Sequence, residues 1–286
     1  MSPLLNFNFN LQKRIALLIL GGLAASLILF SVLSLQAVNG TTQSMLDERL
    51  STARMMARQV DDTLTYVTAQ LQNTATDGDS LFKQDQFMSE AHSLRDIFAK
   101  SGIYLAGTVL IDSNGHVMYI EPAGVVFPDG NALGNRDVQQ VLQTGVSNVS
   151  DQIVSPLSNG PLILISVPVF GSDGHIDGVL ASAIDVAGSV KDTLSQALIG
   201  QTGYAEIVDG NGSVIARSVP LTPQAAEETR DNPVHFVDLI NKGQPMVGTC
   251  HRCHETNGTF QRQQDILAFA PLSATRCPNC TSQLTS

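Results

Sequence analysis

The residues best suited to chemistry are the four cysteines, all within the last 37 residues and arranged as two C-x-x-C pairs. Cys250-His251-Arg252-Cys253-His254 is C-x-x-C-H, the attachment pattern of c-type haem. Two thiols three residues apart can reach the two vinyl groups of one porphyrin, and the adjoining His254 then lies beneath the iron. A second axial ligand would come from Met246, His235 or His251, or the iron would keep a site open for a diatomic gas. Phe260, Phe269 and Leu272 would shield the ring or belong to the core. Two other readings stay open. Cys250, Cys253, Cys277 and Cys280 together spell C-x2-C-x23-C-x2-C, a tetrahedral zinc pattern, and an oxidising compartment would favour structural disulfides. Haem is preferred because it gives His254 a role that four-cysteine zinc does not. Thr281 stands where a second haem motif would need His, so one haem is expected.

Composition restricts what surrounds this motif. The chain has 286 residues, 16 basic against 26 acidic side chains and a net charge of -10, with 43% hydrophobic residues. Only 15% of residues are charged, which disfavours disorder. The acidic balance disfavours a phosphate-neutralising nucleic-acid binder. From Ile15 to Val38 there are 24 residues without a charge, preceded by Lys13 and Arg14. That length crosses a hydrocarbon core of about 30 Å, and the flanking charges place the N-terminus in the cytoplasm and the rest outside. A cleaved signal peptide is the weaker reading, because its apolar region is usually shorter. We expect a single-pass protein of the cytoplasmic (inner) membrane, a topology compatible with haem attachment.

Positioning such a site requires a scaffold, and the periodicity supplies one. Leu46, Leu50, Ala53, Met56, Val60, Leu64, Val67 and Leu71 recur at gaps of three and four in a stretch, 41–76, free of Pro and Gly. This predicts a long amphipathic helix, core-facing in its distal half and equally suited to a homodimer seam near the membrane. DGDS (77–80) ends it, and a second helix is expected over Lys83–Lys100. Beyond it the pattern turns strand-like: 103–112 and 116–121 flank Asn114-Gly115, a hairpin signal, a short helix follows at Arg136–Thr144, and 161–170 and 175–185 flank GSDG. The order is that of an antiparallel α+β module, and it appears twice. LIDSNGHVMY (110–119) matches IVDGNGSVIA (207–216) at an offset of 97, and ILISVPV (163–169) resembles ILAFAPL (266–272) at 103. A linking helix over Val186–Leu198 would join the copies. The strand that should follow the second copy is replaced by RCPNCTSQLTS, so the second module reads as incomplete at its C-terminus or the chain as a shortened version of a longer one.

GTVLIDSNGHVMY, GNRDVQQVLQTGVSNVSD, VFGSDGHIDGVLASAIDVA and GQTGYAEIVDGNGSVIARS, after an N-terminal membrane helix and a helical stalk, resemble the double Cache family of PAS-like sensors over roughly residues 40–276. These are the extracytoplasmic ligand-sensing regions of bacterial histidine kinases, chemoreceptors and diguanylate cyclases. The resemblance implies an organisation of cytoplasmic tail (1–14), transmembrane helix (15–38), stalk and packing helices (39–100), membrane-distal module (101–198), membrane-proximal module with the C-x-x-C-H insertion (199–276) and irregular tail (277–286). It implies a distal pocket lined by Tyr104, Tyr119, the 122–136 loop with Arg136, and Asp185, the last where amino-acid-binding members keep a carboxylate for the ligand ammonium. Those members also carry Arg followed closely by Trp and Tyr before the short helix, whereas this chain has Arg136-Asp137-Val138 and no Trp. Asp185 is equally suited to cap the helix that follows it. The expected function is sensing of a small molecule, a redox state or a gas, with haem c as cofactor, the membrane and a second copy as partners, and output in a domain outside this chain. The alternatives are a zinc-stabilised Cache domain and a cytochrome-like redox protein. No enzyme signature is present: P-loop, G-x-S-x-G, H-E-x-x-H and kinase motifs are all missing from the sequence.

Overall fold

A computed structural model describes residues 11–122, 136–151, 153–154, 161–195, 204–218, 239–252 and 263–273. It divides into two units, Met1–Arg49 and Leu50–Ser286. In the first, the apolar residues from Ile15 to Val38 are exposed along a helix of the length and composition that crosses a membrane. That helix, α1 (Leu11–Thr74), runs unbroken through the boundary expected at 38–41. The expected stripe is buried only from Val60 onward, through Leu64, Val67 and Leu71, while Leu46, Leu50, Ala53 and Met56 are half-exposed.

The second unit is built on a six-stranded antiparallel sheet. Its strands are β1 (Tyr104–Asp112), β2 (Val117–Glu121), β3 (Asn148–Val149), β4 (Ile153–Val154), β5 (Pro161–Phe170) and β6 (Ile176–Asp185). Their order is β2-β1-β6-β5-β3, with β4 also on β5. Helix α1 and helix α3 (Gln84–Lys100) cover one face, where Leu64, Val67, Leu71, Phe87, Leu94 and Phe98 meet Leu110, Ile163, Ile165, Leu180 and Ile184. Helix α4 (Arg136–Thr144) covers the other, setting Val138 and Val141 against Val109, Ile111, Leu162, Leu164 and Val179. Burial on both faces explains why β5 and β6 read as nearly continuous apolar runs. The segment read as a break after the stalk holds a short helix, α2 (Gly78–Leu81). Gly78 is required there, since a Cβ would lie 2.3 Å from the Phe170 carbonyl oxygen.

The first hairpin of the module recurs with the same register. The second module opens with the hairpin β7 (Glu206–Val208) and β8 (Val214–Arg217). Val109 pairs with Ile120, Leu110 with Tyr119 and Ile111 with Val117; at the same offset of 97, Glu206 pairs with Arg217, Ile207 with Ala216 and Val208 with Val214. The register slips at the same step in both. Both turns are closed identically: Asp112 Oδ1 accepts the amides of Asn114 and His116, and Asp209 Oδ1 those of Asn211 and Ser213. Gly115 and Gly212 follow at φ 81° and 79°, a backbone region costly for other residues. The module continues with β9 (Met246–Arg252) and β10 (Gln263–Phe269), a separate hairpin. The counterpart of the central strand β6 would fall beyond Ser273, outside the described residues.

The linking helix differs from its expectation. Over the described part of the expected helix Val186–Leu198 there are two short ones, α5 (Val186–Ser189) and α6 (Lys191–Ser195), with Val190 between them, and 196–198 lie outside the described residues. The Ser189 hydroxyl bonds back to the Asp185 carbonyl, and Gly188 and the β-branched Val186 and Val190 have low helix propensity.

Candidate functional site

The sheet brings two of the four expected pocket residues together. Tyr104 and Asp185 are register partners at one end of β1 and β6, with Leu162 the next partner of Asp185 on β5. Leu162 packs in the α4-side cluster, so this row lies on the α4 face. Tyr104 is 61% exposed and Asp185 half-buried. Asp185 caps α5: its Oδ1 accepts the Gly188 amide at 2.9 Å. Ser189, which sequence reasoning missed, accepts the Tyr104 amide at 2.9 Å and donates to the Asp185 carbonyl at 2.6 Å. Its only sequence signal was its place four residues after an N-cap Asp.

Tyr119 lies on the opposite face. It stacks on Phe87, with ring centroids 5.6 Å apart, and its hydroxyl donates to the Phe82 carbonyl. Helix α3 therefore takes the side chain that the resemblance assigned to the pocket. Arg136 is exposed at the start of α4, and the 123–135 segment before it lies outside the described residues. Burial pushes the carboxyl of the next residue, Asp137, above its ordinary range. The bond it accepts from Asn148 at 2.7 Å opposes this, and nearby Asp151 adds to it. Asp151 in turn joins the modules, accepting the Gly210 amide at 3.2 Å and the Asn211 side chain at 2.9 Å.

The cysteine motif begins on β9. Cys250 is in the ladder opposite Asp265, His251 opposite Gln264 and Arg252 opposite Gln263. Cys253 and His254 fall in the connection between β9 and β10, outside the described residues, as do His235, Phe260, Cys277 and Cys280. Met246 is half-buried opposite Phe269 at the other end of the hairpin. Among the described residues no three His, Cys, Asp or Glu side chains cluster to hold a metal. The base of the hairpin is held to the stalk. Asp61 on α1 accepts the Ser273 amide at 2.8 Å and its hydroxyl at 2.7 Å.

The Cache domain model of the double type matches residues 34–279, which spans both modules and the stalk. The chain belongs to the Cache domain family. Solved structures share this Cache fold at low identity. The sensory domain of the Campylobacter jejuni chemoreceptor Tlp3 aligns with TM-score 0.57 and 14% identity over 82% of this chain and 92% of its own. The extracellular domain of mmHK1S-Z2, assigned as a histidine kinase, aligns with TM-score 0.57 and 14% identity over 80% and 93%. The ligand-binding domain of the Pseudomonas aeruginosa PAO1 amino acid chemoreceptor PctB, in complex with L-Arg, aligns with TM-score 0.55 and 16% identity over 80% and 82%. The chain spans 35% of the length of an extracellular ligand binding receptor from Desulfohalobium retbaense DSM5692 that it also matches. No curated protein is similar enough in sequence to count as a relative.

Proposed function

We propose that this Cache chain is the membrane-anchored, extracytoplasmic sensing part of a signal-transduction protein, non-catalytic itself, and that its distal module takes a small molecule bearing an ammonium group. The observation that carries the reading is the Tyr104–Asp185 pair. It sets a carboxylate beside an exposed aromatic ring, at an open sheet end and on the face that α4 covers. A cation over a ring face and against a carboxylate is favoured by both. Fold likeness to a chemoreceptor domain solved with L-Arg supports an amino acid or amine as the class. Capping does not consume the carboxylate, because the Gly188 amide takes only Oδ1. The test is calorimetric titration of the chain with L-amino acids and simple amines. Asp185→Asn keeps a side chain that caps about as well as Asp but loses the charge. It should retain the wild-type melting temperature and lose binding at least tenfold, the scale of one charge-assisted bond. Binding unchanged in Asp185→Asn, or no binder in the panel, overturns the ammonium reading.

A second site is proposed on the β9–β10 hairpin. Cys250, Cys253 and His254 would hold haem c covalently, with Met246, His235 or His251 as the other axial ligand, and the group would supply redox or gas sensitivity. The reading is supported by the C-x-x-C-H spacing and by the attachment of the hairpin's base to α1 through Asp61. Expression with haem-maturation machinery should give a Soret band that Cys253→Ala removes. A colourless protein carrying one zinc per chain, lost on replacing Cys277 or Cys280, would instead establish the four-cysteine site. In either case we propose that the half-exposed stripe from Leu46 to Met56 pairs with a second copy, which cross-linking at Leu50 in membranes would test.

A further inference from the structure

The linker between the modules starts at the candidate ligand site, and the hydrogen bonds there converge on one residue. We propose that Ser189 is the positioning residue of the Tyr104–Asp185 site and that, through it, helix α5 passes occupancy of that site to the second module; this rests on reading that pair as the ligand site. The ladder between β1 and β6 slips between Leu105 and Gly107, one residue in from Tyr104. The pair at the sheet end therefore lacks an uninterrupted ladder on that side, and the Ser189 hydroxyl supplies a tie. It accepts the Tyr104 amide at 2.9 Å and donates to the Asp185 carbonyl at 2.6 Å, binding both backbones at once.

Helix α5 also touches both side chains. A Cβ on Gly188 would lie 2.8 Å from Asp185 Oδ2 and 3.1 Å from Tyr104 Cδ2. A side chain at 188 would press on the carboxylate and the ring, so α5 passes close to both. A cation taken by Asp185 thus draws on a carboxylate that already holds the Gly188 amide, and it bears on the first turn of α5. The apolar side of the same turn faces the second module. Val186 and Val190 belong to one buried cluster with Ile207, Ile215 and Ala216 of β7 and β8. Close-packed interiors transmit a shift of this kind rather than absorb it, so movement of α5 must repack that hairpin.

The test uses the full chain in detergent micelles, with L-arginine as the probe. Hydrogen exchange is followed in peptides covering 103–108 and 204–218, and affinity by calorimetry. In Ser189→Ala, exchange at the Tyr104 amide should rise about tenfold and affinity should fall about tenfold, the upper range of a single net hydrogen bond. Protection of 204–218 on adding L-arginine should disappear. Ser189→Thr, which keeps the hydroxyl, should restore all three, while the isosteric Ser189→Val should not. That Thr/Val comparison decides the matter even if Ala loosens the whole sheet. Wild-type protection of 204–218 in Ser189→Val overturns the coupling, and an unchanged Tyr104 amide overturns the positioning role. If the wild type ignores L-arginine, a binder from the amino-acid and amine panel replaces it as the probe; if the whole panel is ignored, the ammonium-ligand reading fails with the coupling that rests on it, while faster Tyr104 exchange in Ser189→Val would still support Ser189 as the tie.

Discussion

Glu206 and Arg217 allow a quantitative test of how the duplicated hairpin was adapted. They form a salt bridge between register partners in the second module, with side chains 9% and 10% exposed, and the Tyr204 ring lies 4.9 Å from the Arg217 guanidinium carbon. The same two positions in the first module hold Val109 and Ile120, register partners in the apolar cluster under α4. Removing one member of a buried pair strands the other charge at a cost of about 3–5 kcal/mol, whereas replacing both with packed apolar residues is neutral or stabilising by about 1–4 kcal/mol. Glu206→Val should therefore destabilise by about 3–5 kcal/mol, because a guanidinium cannot shed its charge. The double variant with Arg217→Ile, which installs the first module's own pair, should return to within about 1 kcal/mol of wild type or exceed it. Urea unfolding followed by tyrosine emission suits the assay, since the chain has no tryptophan and Tyr204 adjoins the pair. A Glu206→Val cost under about 1 kcal/mol, or a double variant as weak as the two singles added, would refute the reasoning.

Three further outcomes follow from the same structure. Ser166 is fully buried in β5 and its hydroxyl has no hydrogen-bond partner among the described residues, so Ser166→Ala should be neutral or raise stability by about 1 kcal/mol in urea titration. A Cβ on Gly178 would meet the Ile111 carbonyl oxygen at 2.1 Å, backbone that cannot swing aside. Gly178→Ala should therefore lose about 1–3 kcal/mol or fail to fold, visible as a lowered Tm. Asp137 has its folded-state pKa raised above 3.8, chiefly by burial, so the folded chain binds its proton more tightly than the unfolded chain does. Stability then falls as pH rises from 3.8 through the folded-state value. Asp137→Asn, which keeps an oxygen for Asn148, should be the more stable form at pH 7, and the two melting curves should converge toward pH 4.

Local pattern made much of this Cache chain legible: the apolar helix, the stripe from Val60 to Leu71, helices α3 and α4, and both hairpins with their Asp-x-Asn-Gly turns. Each is set by interactions within a few residues, which is why an offset of 97 in the sequence reappears as the same register and the same slip in the fold. The long linking helix failed because propensity alone did not reveal that the Ser189 hydroxyl would turn back on Asp185. The candidate site was half visible. Alternation predicts that Tyr104 and Asp185 occupy strand ends, but only pairing decides that they face each other and that Tyr119 points to α3 instead. The contacts with no sequence signal are those between distant segments, such as Asp61 with Ser273 and Asp151 with Asn211. The sequence by itself therefore determined most of the elements and the repeated hairpin, since turn chemistry and periodicity are local. The tertiary structure decided which side chains meet, because that depends on register across strands and on which face each helix covers.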